Sequence, residues 1–137
     1  MQLPWILGML VSMCLAPIVV ESDRDKLQGE WSCENMVRGG EKAPEEDIKT
    51  ISLSVKEDRW LVKIGGGEEK GKFMEDATKK PKEITFTSDD GKERKGIYEV
   101  EGDTLKVSVS EPGEARPTEL DSKAGSTNIY LVFKRKK

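Results

Sequence analysis

Of the residues that could do chemistry, Arg116 has the most suggestive setting. In Arg116-Pro117-Thr118 a rigid turn could hold a guanidinium at the mouth of a pocket, where it would grip a carboxylate or phosphate bidentately. The competing reading, and the preferred one, is that Arg116 pairs with an acidic neighbour and pins the long loop before the last apolar run. Cys33 is the other reactive candidate, but a nucleophilic thiol needs a base, and the chain has no histidine to serve. The absence of histidine also removes the commonest general base and the commonest metal ligand. Two cysteines, Cys14 and Cys33, are too few for a thiolate metal cluster. Gly65-Gly66-Gly67 lacks the Gly-Lys-Ser/Thr ending of a phosphate loop, and Glu68-Glu69 behind it would repel an anion. The acidic runs Glu45-Glu46-Asp47 and Asp89-Asp90 do not match the spacing of a calcium loop. No carboxylate pair stands out for acid–base work, so the expectation is a protein that is not an enzyme and carries neither cofactor nor metal.

The elements that position these residues must come from a single domain, because 137 residues leave room for little else. Charged residues make up 36% and apolar ones 35%, which is polar but sufficient for one modest core. Opposite charges are interspersed at a net charge of −3, so no face presents itself to nucleic acid.

The first 22 residues read as an address. Residues 5–20 form an almost unbroken apolar run that Glu21-Ser22-Asp23-Arg24-Asp25 ends abruptly, the shape of a secretory signal peptide. Val20 and Ser22 could serve as the small residues before the cut, releasing a mature domain over 23–137 into the periplasm or the extracellular space. Two other readings stay open behind this one. An uncleaved anchor, the one route to membrane contact, would need about 20 apolar residues. Lipidation at Cys14 would call for a small residue where Met13 stands. Once the leader is removed, Cys33 has no partner for an internal disulfide, and the core must hold the fold.

After Asp23 the apolar residues recur with period two. Ile51, Leu53 and Val55 alternate with serines; Trp60, Val62 and Ile64 follow the same rule, as do Ile84 and Phe86, then Leu105, Val107 and Val109, then Ile129, Leu131 and Phe133. β-branched and aromatic side chains dominate these runs, and glycine- or aspartate-bearing turns separate them. The pattern predicts about eight strands, over 28–37, 48–55, 59–64, 69–75, 82–87, 93–100, 104–110 and 128–135. Short strands joined by tight turns make an all-β sandwich or an up-and-down antiparallel barrel. Residues 43–47 could form a helical turn, and 112–126 are expected to be among the least ordered.

Leu27-Gln28-Gly29-Glu30-Trp31 resembles the Gly-x-Trp opening of lipocalins. In that superfamily the Trp plugs one end of the barrel and a basic residue late in the last strand packs over it. The resemblance implies that Trp31 and Arg135 close the barrel, through a cation–π contact worth about 0.5–2 kcal/mol. Pro81-Lys82-Glu83-Ile84, Gly96-Ile97-Tyr98, Gly102-Asp103-Thr104-Leu105-Lys106 and Arg116-Pro117-Thr118 occur in the order found in a planctomycete lipocalin-like domain family, which the chain resembles over roughly residues 25–136. That family supplies a fold rather than an activity.

Two functions follow. In the first, the barrel takes a small hydrophobic or anionic ligand into a cavity lined by residues such as Trp60, Val62, Tyr98, Val107 and Leu131, with Trp60, Tyr98 and Arg116 as ligand or rim residues. In the second, the core is solid, Trp60 and Tyr98 are ordinary buried aromatics, and the protein is a structural or interaction module of the cell envelope working through its loops.

Overall fold

The computed structural model describes residues 23–136, and the proposed leader, with Cys14, lies outside them. The described chain is a closed antiparallel barrel. Its strands are β1 (Gly29–Arg38), β2 (Glu41–Lys42), β3 (Ser52–Lys56), β4 (Arg59–Ile64), β5 (Gly67–Asp76), β6 (Lys82–Ser88), β7 (Glu93–Glu101), β8 (Thr104–Val109) and β9 (Ile129–Arg135). From β3 to β9 each strand pairs with the next, and β1 closes the ring by pairing with both β3 and β9. β2 is a short extra ladder on the end of β1. Eight strands therefore form the wall, in up-and-down order, the barrel rather than the sandwich of the two arrangements that the strand pattern left open.

Alternation sets what the wall encloses. Leu53, Val55, Trp60, Phe73, Ile84, Tyr98, Leu105, Val107, Leu131 and Phe133 all belong to one buried cluster. The partners in register share a face, as Leu53 does with Val62 and Val107 with Leu131. β1 breaks the rule once. Cys33 pairs with Phe133 but Asn35 pairs with Val132, so Glu34 is an extra residue, a β-bulge. Below the bulge Trp31 and Cys33 point inward; above it the inward positions are Met36 and Arg38, opposite Leu131 and Ile129.

Two short helices depart from the expected string of strands. Residues 48–51 form no strand: α2 (Glu45–Ile48) and a turn occupy the region, and β3 begins only at Ser52. Pro44 precedes the helix in extended geometry, three acidic residues fill its positive N-terminal turn, and Ile48 and Ile51 both turn into the core. A spacing of three between the two isoleucines is helical, not alternating. The other helix, α1 (Arg24–Leu27), sits just before β1 with Leu27 buried.

Residues 110–128 are a strap laid over the outside of β7 and β8, not a loose connection. Ile97 and Ser108 have outward parity yet are 1% and 0% exposed. Asn128 donates from Nδ2 to Ser108 Oγ at 2.6 Å, and Ser110 Oγ donates to the Lys95 carbonyl at 3.0 Å. Buried Ser122 accepts from the Gly39 and Gly40 amides, tying the strap to the β1–β2 turn.

Candidate functional site

The two ends of the barrel are built differently, and the difference defines the site. At one end α1 is a plug. Trp31 is fully buried and donates from Nε1 to the Leu27 carbonyl at 3.0 Å. The Arg135 guanidinium lies 4.2 Å from the Trp31 ring centroid and donates to the carbonyls of Gln28 and Lys26 while pairing with Asp103. Gly29 is required beneath it: its φ is +123°, and a Cβ there would stand 3.0 Å from the Arg135 Nη1.

Asp23 fastens the plug from the other side. The residue is 3% exposed, and its carboxylate accepts hydrogen bonds from the Tyr98 hydroxyl and the Lys82 ammonium, both at 2.9 Å. Burial alone would raise the Asp23 pKa, but the bonds from Lys82 and Tyr98 outweigh it and hold the carboxyl below its ordinary value. Burial, reinforced by the Asp23 charge, drives the Tyr98 phenol far up, so it stays a neutral donor. Tyr98 is thus a fastening of the plugged end and not a rim residue. The apolar void it borders is about 20 Å³, which leaves this half of the barrel filled.

The opposite end is hollow. A cavity of about 340 Å³ opens between the strands, walled by Leu53, Trp60, Val62, Phe86, Val107 and Leu131 together with neighbouring apolar side chains. Its volume falls at the low end of small-molecule sites. Trp60 is held by an Nε1 bond to the Lys72 carbonyl at 3.0 Å and meets Phe86 edge-on, with centroids 5.2 Å apart. Ile64, 45% exposed, carries the apolar lining out to the lip.

Four charged residues line the mouth: Arg38, Glu68, Glu69 and Arg94. Arg94 is occupied, bonding Glu69 through Nε at 3.3 Å and pairing with Glu111 at 3.5 Å. Sequence reasoning passed over both arginines. Arg94 shares parity with Tyr98 and Val100 along β7, so alternation alone could have placed it inward. Arg38 could not be found that way, because strict alternation from Trp31 points it outward and only the bulge reverses it.

Arg116 stands elsewhere. It lies on the outer wall, where Nη1 donates to the carbonyls of Ile84 and Gly96 at 2.9 and 2.8 Å and Nη2 donates to Thr85 Oγ1. Glu83 pairs with it at 3.6 Å. This geometry corrects the expectation of a ligand or rim role: the side chain clamps the strap to β6 and β7, and it does not line the cavity. Cys33 is buried, and burial pushes its thiol up to about 11, so it carries no thiolate near neutral pH. Among the described residues no group of three or more His, Cys, Asp or Glu is placed to hold a metal ion.

Fold and site together define a closed antiparallel barrel with one plugged end and one open, apolar end. Comparison with protein-family models, with curated proteins and with solved structures gave no significant match.

Proposed function

We propose that this chain is an exported, lipocalin-like binding protein that takes a small apolar or anionic ligand into the open end of its barrel and performs no chemistry on it. The observation that carries the reading is the 340 Å³ cavity, apolar along its walls and charged only at its mouth. A solid-core interaction protein would have no reason to leave a cavity of this size unfilled, since empty apolar volume costs stability. The Gly-x-Trp opening beneath Arg135 supports the lipocalin-like kinship. Export is supported by the apolar run over residues 5–20 and its charged boundary.

Native mass spectrometry of the chain purified from its own envelope fraction tests both parts. The expected result is a chain starting near Asp23 that carries a small molecule released on gentle denaturation. A clean apo mass, together with failure of the purified protein to take up an apolar fluorescent dye, would overturn the binding role. A full-length mass retaining Met1 in that fraction would overturn cleavage of the leader.

A further inference from the structure

We infer that Arg38 is the head-group anchor of the cavity, and that the ligand it selects is a small amphiphile with an oxyanion head and an apolar body. This rests on the binding-cavity reading above and adds to it the chemical class of the ligand.

Charge and direction single out Arg38 at the mouth. The Glu34 bulge turns Arg38 to the inside at the lip, opposite Ile129, itself a wall residue. Of the four charged lining residues, Arg94 and Glu69 are committed to each other. Glu68 has outward parity and stands in register with Lys63 on the outer face. Arg38 alone among the four combines inward parity with the absence of any carboxylate within 4.0 Å among the described residues, its cross-strand neighbour Glu41 included. An unmatched guanidinium at the edge of a low-dielectric cavity favours an incoming oxyanion. It offers a planar fork to a carboxylate or phosphate, and the apolar body gains burial against Trp60, Phe86 and Leu131. An ammonium head would meet Arg38 repulsively while the inward carboxylate, Glu69, is already engaged. A neutral head would gain nothing from it.

Four decyl probes separate the possibilities, with binding followed by calorimetry and by the fluorescence of Trp60: decanoate, decyl phosphate, decanol and decylammonium. Wild-type protein is expected to bind at least one of the two oxyanions about tenfold or more tighter than decanol, about 1.4 kcal/mol. The stronger of the two identifies the head as carboxylate or phosphate. Arg38→Gln is expected to erase the preference and leave decanol affinity within about twofold, since Arg38 is exposed and its side chain makes no hydrogen bond among the described residues whose loss would disturb the fold. Equal binding of decanol and the oxyanions, tightest binding of decylammonium, or a preference that survives Arg38→Gln would overturn the anchor while leaving the cavity as a binding site. Binding of none of the four would overturn the cavity reading and this inference with it.

Discussion

Asp23 concentrates the chemistry of the plugged end in one carboxylate. Because its folded pKa lies below the unfolded value of about 3.9, it contributes stability that is fully present above that value and is lost as pH falls through the folded pKa. Asp23→Asn keeps the shape but removes the charge that Lys82 and Tyr98 address. Its expected cost is about 1.5–3 kcal/mol at neutral pH. Urea midpoints measured from pH 6 to pH 2 should fall less steeply for the variant than for wild type. The slope that remains belongs to carboxylates such as Asp76 and Asp90, held low by their bonds to Thr78 and Ser88. An unchanged acid slope would show that Asp23 does not fasten the plug. None of this cluster was legible in the sequence: Asp23 reads there as the boundary of a leader, and the residues that meet it, Lys82 and Tyr98, are remote along the chain. The Trp31–Arg135 pair was legible because both ends of that contact sit in recognisable strand positions.

Among the elements, the strap is the one the sequence misjudged most. Polar, proline- and glycine-bearing composition over residues 112–126 describes a loop well, but it does not reveal that a loop covers Ile97 and Ser108, whose outward parity would otherwise expose them. Arg116 holds this cover down through two backbone carbonyls. Arg116→Gln cannot reach all of its partners and is expected to cost about 1–3 kcal/mol, with limited proteolysis shifting to cuts within 112–126. Equal protease resistance of the two proteins would mean that Ser110 and Ser122 suffice to seat the strap. Most of the strands of the wall were legible to within a residue or two, since their apolar residues alternate, although alternation shows neither the bulge in β1 nor the short β2. The exception was the start of β3, where Ile48 and Ile51 satisfy the core from a helical turn. Glycine also has a positional meaning in the wall: a Cβ on Gly96 would lie 2.7 Å from the Ser108 carbonyl oxygen, so the Gly-Ile-Tyr run reflects close strand approach.

At the scale of the whole molecule, stability and binding are divided between the two halves of one barrel. The packed half, under α1, holds the two bulkiest fully buried side chains, Trp31 and Tyr98, while the open half gives up packing to keep its volume. Filling that volume should therefore separate the two properties. Val62→Phe, a half-buried wall position, is expected to hold stability within about 1.5 kcal/mol of wild type while abolishing dye and ligand uptake, as read by denaturation and fluorescence titration. Loss of folding together with binding would place the stabilising core in the open half instead. The chain's alternation announced an all-β sandwich or barrel but not the asymmetry of its interior, because period two marks which face is inside and not how completely the inside is filled. The bulge in β1 shows how such an interior can be rewritten. Drawing Glu34 into the ladder, so that all of β1 alternated strictly, would carry Arg38 out to solvent and Val37 inward, while Trp31 and everything beneath it kept their places. Excising Glu34 would not, because Asn35 would then follow Cys33 in the register it already has. For this architecture one residue held out of the ladder, rather than any side chain in the wall, decides whether the cavity greets a charged guest or a wholly greasy one.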